Sequence, residues 1–293
     1  MFNGIYPPLP TPFYNEEIDF GKVRFNIDRF NKTELRGYVV LGSNGESVFL
    51  TREEKIELVR VSAESAAENK IIIAGTGSDS VKETIHLTNE CAKVGAKAAL
   101  VLTPSYYKSQ MNHNAIVNYF TAVADNSVIP VFIYNVPKFT GIDILPSTAA
   151  QLAEHKNIVG IKDSTENIVH MMELIKSVPE DFVVFTGTGS VLYPALSAGS
   201  KGGIVALANV APDNCVAIQN LLLDGKHTEA LSLQNSLLEL NKAVTAKYGV
   251  AGLKKAMDIA GYQGGEIRTP LTPLPEKDFK ELEIIVRKAL RQD

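Results

Sequence analysis

A chain of 293 residues that is 45% hydrophobic and 21% charged can bury a large core, which excludes a disordered protein. Its net charge of −4 gives no broad basic field, so nucleic acid and anionic membranes are not expected partners. The two cysteines, Cys91 and Cys215, have no CxxC spacing, which argues against a disulfide scaffold or a structural zinc site and fits the reducing cytoplasm.

No long apolar segment interrupts the sequence. No run approaches the ~18 apolar residues that span a bilayer, and the first segment, MFNGIYPPLP, lacks the basic and apolar regions of a secretory signal. No Ser/Gly/Pro-rich tract or charge block divides the chain. We therefore expect a cytoplasmic protein without a membrane partner and without a second strand-containing domain.

Short β-branched and apolar runs recur along the first two thirds of the chain. They predict eight strands at Ile5–Leu9, Tyr38–Leu41, Ile71–Ala74, Ala98–Leu102, Val131–Tyr134, Ile158–Ile161, Val183–Phe185 and Ile204–Leu207. Helical patterns separate them, with expected capping boxes at Thr51–Glu54 and Ser80–Glu83 and an apolar helical face at Ile116, Phe120 and Val123.

Strands that alternate with helices predict a parallel sheet, because each parallel crossover must travel back along the sheet. Eight units of about 20 to 33 residues are what a (β/α)8 TIM barrel requires. An open doubly wound sheet is the alternative. The expected fold class is therefore α/β, with the barrel as the preferred architecture.

After Leu207 the pattern is only helical. The predicted helices are Cys215–Leu223, Thr228 to about Tyr248, Gly252–Ala260 and Lys277–Arg291. We expect residues 1–211 to carry the barrel strands and most barrel helices, and residues 212–293 to carry the final barrel helix and an additional C-terminal helical region. The surplus helices could pack on the barrel or at a subunit interface, and the pattern leaves both open.

Polar segments follow most of the predicted strands, where a barrel of this kind places its chemistry. They are GSNGE (42–46), GTGS (75–78 and 187–190), TPSYYK (103–108), YNVP (134–137) and KDS (162–164). The GTGS turns lack the third glycine of a dinucleotide fingerprint, and the histidines show no metal-ligand spacing. We expect no cofactor and no metal.

The segment VGIKDS places a lysine at the end of the sixth predicted strand. Alternation predicts that Val159 and Ile161 face the helices and that Gly160 and Lys162 face the barrel interior. One interpretation is a rim lysine that pairs with Asp163 or reaches solvent. The other is a desolvated, neutral amine that attacks a carbonyl and forms a Schiff base.

Hydroxyl groups lie at the ends of neighbouring predicted strands. Tyr134 could move protons for an amine on the next strand, and Tyr107 follows the fourth strand, although either could simply be a packed aromatic. In GSNGE, Ser43, Asn44 and the backbone N–H groups could bind a carboxylate. A plain turn is the alternative for that loop.

Four segments in this order, GSNGE, TPSYYK, YNVPKFTG and VGIKDS, resemble motifs of the dihydrodipicolinate synthase and N-acetylneuraminate lyase superfamily. Its members are pyruvate-dependent class I aldolases, and the resemblance covers nearly the whole chain. It implies a (β/α)8 barrel with a C-terminal helical region, usually assembled as a homotetramer, and a small 2-oxo acid as substrate.

Carried over by position, the resemblance implies that Lys162 forms the Schiff base with pyruvate or another 2-oxo acid and that Tyr134 transfers protons. Ser43 and Asn44 would hold the carboxylate of the 2-oxo acid. Ser43 would also join Tyr134 and Tyr107 in a hydroxyl relay, with Tyr107 reaching in from a neighbouring subunit.

Further positions concern the lining of the site and its second substrate. The resemblance places Gly187 and Ile204 in the lining. Dihydrodipicolinate synthases have an arginine where Phe139 stands, which binds the carboxylate of aspartate semialdehyde, and Lys138 is no geometric equal. GSNGE also replaces the more usual GTTGE. Both departures favour the 4-hydroxy-2-oxoglutarate aldolase branch, whose C-terminal segment is similar to residues 243–265 here.

The sequence therefore predicts a metal-independent carbon–carbon lyase. The preferred reaction is cleavage of a 4-hydroxy-2-oxoglutarate-type acid to pyruvate and a small aldehyde such as glyoxylate. One alternative is dihydrodipicolinate synthase activity, which condenses pyruvate with aspartate semialdehyde in lysine biosynthesis. Another is a non-catalytic barrel that binds a 2-oxo acid, which the presence of Lys162, Tyr134, Tyr107 and Ser43 together disfavours.

Overall fold

The computed structural model describes residues 2–290 of the chain. Its strands are β1 (Gly4–Tyr6), β2 (Phe13–Tyr14), β3 (Glu17–Ile18), β4 (Gly37–Val40), β5 (Ile71–Gly75), β6 (Ala98–Leu102), β7 (Val131–Asn135), β8 (Ile158–Asp163), β9 (Val183–Thr186) and β10 (Gly202–Ile204). Its helices are α1 (Phe20–Phe30), α2 (Arg52–Ser65), α3 (Val81–Lys93), α4 (His113–Asn126), α5 (Pro137–Thr140), α6 (Pro146–Ala153), α7 (Ile168–Ser177), α8 (Leu192–Ser197), α9 (Pro212–Leu223), α10 (His227–Lys242), α11 (Gly249–Ile259) and α12 (Glu276–Leu290).

Eight strands form one parallel sheet in the order β1-β10-β9-β8-β7-β6-β5-β4. Its two outer strands meet through a parallel bridge between Pro8 and Val39. There the Leu9 amide donates to the Val39 carbonyl at 2.9 Å, and the Val39 amide donates to the Pro7 carbonyl at 3.0 Å. The sheet closes on itself, so the predicted TIM barrel is confirmed and the open sheet is excluded.

Three short elements differ from the predicted strands, and the first of them is β1, which ends at Tyr6 rather than at the predicted Leu9. The hairpin of β2 and β3 was not predicted, because two-residue strands leave no apolar pattern; its turn residues Asn15 and Glu16 have φ of 48° and 66°. The last barrel strand is Gly202–Ile204 rather than Ile204–Leu207. Glycine is rare in strands, but a Cβ at Gly202 would lie 2.0 Å from the carbonyl oxygen of Gly4, so the close approach requires glycine.

The barrel interior is filled by buried side chains from alternate strand positions. They are Phe2, Tyr6, Val39, Ile73, Ala98, Leu100, Phe132, Tyr134, Val136, Val183, Phe185 and Ile204. On β8, Ile158 and Gly160 have partners on β7, and the register skips Val159 between them. Val159 therefore packs against the interior cluster, and the prediction that it faces the helices is wrong, because a bulge interrupts the alternation. Ile161 lies in the outer cluster as predicted.

The predicted helix starts differ in how completely they are capped. At α2, the Thr51 hydroxyl accepts from the Glu54 amide and the Glu54 carboxylate accepts from the Thr51 amide, so this capping box is complete. At α3, Ser80 accepts from the Glu83 amide. The Glu83 carboxylate instead accepts two bonds from Arg52, since a bidentate ionic contact is stronger than a bond to a neutral amide.

The observed helices agree with the predicted ones, but some of their ends lie at different residues. Ile116, Phe120 and Val123 are buried on α4 as predicted. Helix α9 begins at Pro212, a residue suited to a first turn, and α10 continues as a π-helical turn at Ala243–Lys247. The predicted last residue of the final helix, Arg291, lies outside the described residues.

The helices after β10 pack against the same core as the barrel strands. Leu240 on α10, Leu253 on α11 and Leu282 on α12 share one buried cluster with Ile5 and Tyr38. The surplus helices thus bury apolar faces on the barrel flank of their own chain, and the division at residues 211 and 212 stays a prediction. Over residues 2–290, no helix has the length and apolarity needed to cross a membrane, and no three His, Cys, Asp or Glu side chains are grouped to hold a metal ion.

Candidate active site

Lys162 lies inside the C-terminal end of the barrel. It is 3% exposed, and the strand register places it beside Tyr134 on β7 and Phe185 on β9. Its Nζ atom lies 4.0 Å from the centre of the Tyr134 ring. The amine is therefore removed from solvent and held against aromatic side chains, which is the environment that a desolvated nucleophilic lysine requires.

Asp163 belongs to a different network, on the opposite face of the strand. Its carboxylate accepts from the Asn135 amide at 2.8 Å and from the Thr165 hydroxyl at 2.6 Å, and it lies 3.7 Å from Nε2 of His170. Burial raises the pKa of the Asp163 carboxyl, against the lowering effect of the bonds from Thr165 and Asn135. Asp163 forms no ion pair with Lys162 in the described chain, so the rim-pair interpretation of Lys162 is wrong.

The Tyr134 phenol is the group best placed to exchange protons with Lys162. It is 6% exposed, and its oxygen lies 3.5 Å from the Ser43 hydroxyl. Burial alone raises the pKa of Tyr134, but the nearby Lys162 charge and the Ser43 hydroxyl outweigh it, so that the pKa is lowered from its ordinary value. A phenol with a lowered pKa gives up its proton more readily at neutral pH, as an acid/base group should.

The GSNGE loop is held in an unusual backbone conformation. Leu41 before it and Glu46 at its end are both left-handed, with φ of 65° and 53°, which non-glycine residues seldom adopt. Between them Ser43–Gly45 forms a 3-10 turn, and the Thr11 hydroxyl donates to the Gly45 carbonyl at 2.7 Å. The loop is thus fixed with the Ser43 hydroxyl turned toward Tyr134.

The predicted lining residues lie at the same end of the barrel. The half-buried Asn44 makes no side-chain hydrogen bond to any described residue. The Gly187 amide donates to the Asp163 carbonyl at 2.6 Å, and a Cβ at Gly187 would lie 1.8 Å from the Ser164 hydroxyl. Ile204 is fully buried at the end of β10. The strands therefore bring these positions to the barrel end that carries Lys162.

Ser164 is a candidate that sequence reasoning missed. Its hydroxyl is buried without a hydrogen-bond partner of ordinary geometry among residues 2–290, yet it lies close enough to Tyr134 to help lower the pKa of the phenol. The Thr103 hydroxyl, just after β6, is also buried and has no hydrogen-bond partner among the described residues. The sequence does indicate Ser164, because it lies two residues after Lys162, and side chains two residues apart in a strand point to the same face.

Two predicted residues lie apart from this cluster. Tyr107 is 66% exposed and packs edge to face on Tyr106, with ring centres 5.1 Å apart. Phe139, on α5, is 61% exposed, and the Lys138 amine lies 5.8 Å from its ring centre. One chain does not form the relay from Tyr134 to Tyr107, and completion by a neighbouring subunit stays a prediction.

The chain matches the dihydrodipicolinate synthetase family over residues 1–289. It is 33% identical over 290 residues to the 4-hydroxy-tetrahydrodipicolinate synthase of Methanothrix thermoacetophila, which covers 98% of this chain and 97% of that one. The corresponding synthase from Methylacidiphilum fumariolicum SolV has a similar structure, with TM-score 0.94, 32% identity and coverage of 99% and 97%. A prophage protein of the same family from E. coli K12, solved in complex with pyruvate, has TM-score 0.93, 29% identity and 99% coverage of both chains.

These comparisons correct part of the sequence analysis. They do not support a closest relationship with 4-hydroxy-2-oxoglutarate aldolase, because the relatives above carry the synthase name. They also leave the non-catalytic barrel without support. The chain belongs to the dihydrodipicolinate synthetase family and is a Schiff-base-forming lyase.

Proposed function

We propose that Lys162 condenses with pyruvate and that the resulting enamine forms or breaks a carbon–carbon bond with an aldehyde. The observation that carries this proposal is the buried Lys162 amine, 4.0 Å from the ring of Tyr134. The Ser43 hydroxyl lies 3.5 Å from the Tyr134 phenol. These groups supply a nucleophile and a proton carrier.

The steps follow from these groups. The neutral Lys162 amine attacks C2 of pyruvate, and loss of water from the carbinolamine leaves a protonated imine. The imine draws electrons from C3, which loses a proton to give the enamine. The enamine carbon attacks the aldehyde, and water then releases the product from Lys162. Tyr134 carries the protons, while Ser43 and Asn44 hold the carboxylate of pyruvate.

The aldehyde that we propose first is aspartate semialdehyde, as used by a dihydrodipicolinate synthase. The names of the relatives support this choice. The same steps run backwards would cleave a hydroxylated 2-oxo acid. Gly187 and Ile204 would then line the space beside the growing chain of either substrate.

A second candidate is cleavage of a 4-hydroxy-2-oxoglutarate-type acid to pyruvate and glyoxylate. It is favoured by Phe139, which offers no bidentate donor for the carboxylate of the semialdehyde, and by Asn44 in the loop. The experiment is a panel that compares condensation with aspartate semialdehyde to cleavage of several 2-oxo acids. Turnover of the semialdehyde above all others supports the synthase, and faster cleavage of 4-hydroxy-2-oxoglutarate would overturn it.

A substitution at position 139 can be tested with the same panel of substrates. We expect Phe139→Arg to raise turnover of aspartate semialdehyde relative to 4-hydroxy-2-oxoglutarate, because a guanidinium binds a carboxylate in two places. Lys138→Arg adds the same group one position earlier and serves as the control. An unchanged ratio in Phe139→Arg would mean that position 139 does not contact the second substrate.

We also propose that the enzyme works in the cytoplasm as a homotetramer in which Tyr107 completes the site of a neighbouring subunit. The exposure of Tyr107, at 66% in one chain, supports a contact with another copy. The unpaired, buried thiols of Cys91 and Cys215 are compatible with a reducing compartment. Sedimentation analysis of the purified protein tests the assembly, and a monomer at assay concentration would contradict it.

A further inference from the structure

A buried ion pair lies behind the GSNGE loop. Glu46, the last residue of the loop, and Lys254, on α11, each have a side chain that is 1% exposed, and the Lys254 amine contacts Oε1 of Glu46. The same amine donates to the Glu266 carbonyl at 2.5 Å and lies 4.6 Å from the centre of the Phe13 ring. Two charges removed from water in this way remain buried only if each compensates the other.

Each oxygen of the Glu46 carboxylate contacts a different partner. Oε1 contacts Lys254, and Oε2 accepts from the backbone amide of Arg268 at 2.9 Å. Glu46 itself is left-handed, with φ of 53°, so its backbone needs support from its surroundings. Ser43 and Asn44 precede it within the same turn. A displacement of Glu46 would therefore move the two side chains proposed to bind the carboxylate.

We propose that Lys254 is a positioning residue for the 2-oxo acid: it holds Glu46, and through Glu46 it holds Ser43 and Asn44 in the geometry that binds the substrate carboxylate. This inference rests on the proposed function. It gives the C-terminal helical region a part in catalysis, because α11 reaches the site loop from outside the barrel strands. In this role Lys254 acts through Glu46 and is not a catalytic residue.

The charges around Lys254 give the proposal a pH dependence. Burial lowers the pKa of the Lys254 amine to about 8, opposed by the charges of Glu46 and Asp258 and assisted by Arg268. Glu266 faces the amine through its backbone carbonyl. Above about pH 8 the amine loses its proton, its attraction for Glu46 falls, and the loop is held less firmly.

The test measures pyruvate binding by trapping the imine. The full-length chain is titrated with pyruvate in the presence of borohydride, and the reduced adduct is quantified by intact mass. We expect Lys254→Met to raise the half-saturating pyruvate concentration by about tenfold or more while the plateau at saturation is unchanged, because binding is lost and the chemistry is not. Lys254→Arg keeps the charge that faces Glu46, so it should raise the half-saturating pyruvate concentration less than Lys254→Met does.

Lys255→Met is the matched control on the same helix. The Lys255 side chain is 44% exposed and pairs with Asp258 at 3.4 Å, so its loss should leave the titration unchanged. An unchanged half-saturating concentration in folded Lys254→Met overturns the positioning role. An absence of adduct in wild type overturns the proposed function instead, which keeps the two failures distinct.

If Lys254→Met does not fold, the pH dependence of the half-saturating pyruvate concentration tests the positioning role of Lys254. In wild type, the half-saturating pyruvate concentration should rise as pH increases through about 8. In Lys254→Arg that rise should be absent, because a guanidinium keeps its proton throughout this range. Identical profiles for the two proteins would overturn the proposal, since any remaining dependence would belong to other groups.

Discussion

Lys162 and Asp163 are neighbours in the chain and belong to different networks, because strand alternation sends their side chains to opposite faces. Lys162 meets Tyr134 inside the barrel. Asp163 meets Asn135 and Thr165 outside the lumen. Asp163 is therefore not the partner of the Lys162 amine.

The Tyr134 hydroxyl can be removed without removing its ring. Tyr134→Phe keeps the aromatic face beside Lys162 and loses the contact with Ser43, so we expect kcat to fall by about 10²- to 10⁴-fold, the usual contribution of general acid–base catalysis. The measurement is steady-state turnover together with thermal unfolding. Tyr119→Phe, which loses a buried phenol bonded to Thr84 on the outer helices, is the control. Wild-type turnover in Tyr134→Phe would contradict the assigned role.

Single residues differ in how far the sequence identifies them. Lys162, Tyr134 and Ser43 could be predicted because each follows or ends an apolar run, where a barrel gathers its chemistry. Lys254 could not, because it lies on a helix far from the loop in sequence, and only the folded chain brings it to Glu46. The unpaired hydroxyl of Ser164 likewise depends on what surrounds it.

At the scale of elements, Glu54 connects the first turn of α2 to the segment after α11. Its carboxylate caps Thr51 and also accepts two bonds from Arg268, at 2.6 and 2.8 Å. The bonds from Arg268 lower the pKa of Glu54 below its usual 4.5, despite the opposing effect of burial. A lowered folded-state pKa means that this stabilisation is present above the unfolded value and is lost as pH falls through the folded value.

We therefore expect Glu54→Gln to lower the free energy of unfolding by about 1–3 kcal/mol at pH 7, since a hydrogen-bonded charge is lost while the cap is kept. The difference from wild type should narrow as pH falls below about 4.5, where the unfolded carboxyl gains its proton. Urea unfolding across pH measures both effects. Glu53→Gln, one position earlier and exposed, is the control. If the difference in unfolding free energy between Glu54→Gln and wild type did not change with pH, the stabilisation by Glu54 would not come from its charge.

Helices and strands could be predicted from the sequence where the runs of apolar residues were long enough to show a pattern. Each barrel strand overlaps a predicted run, because a parallel strand buried on both faces is a continuous apolar run, but β10 shares only Ile204 with its prediction. The β2–β3 hairpin, the bulge at Val159 and the shifted start of β10 at Gly202 were not. Each depends on a local backbone geometry, a turn, an unpaired residue or a close approach of two strands, which side-chain hydropathy does not encode.

At the scale of the whole molecule, the proposed role of Tyr107 predicts complementation between chains. Lys162→Ala and Tyr107→Phe proteins should each be nearly inactive, and unfolding and refolding them together should restore activity. If the interface is two-fold and each chain contributes its Tyr107 to the site of its partner, about a quarter of all active sites in an equal mixture contain both Lys162 and Tyr107. Recovery measured against separately refolded samples checks this. No recovery from mixed oligomers would mean that Tyr107 does not act between chains.

In the proposed function, the buried Lys162 amine forms the covalent bond with the substrate. Borohydride reduction of the full-length protein with pyruvate, followed by peptide mass mapping, tests it most directly. We expect one pyruvate-derived adduct, located on the peptide that contains Lys162 and absent from Lys162→Ala. An unmodified Lys162 peptide at saturating pyruvate, or an adduct on another lysine, would contradict it.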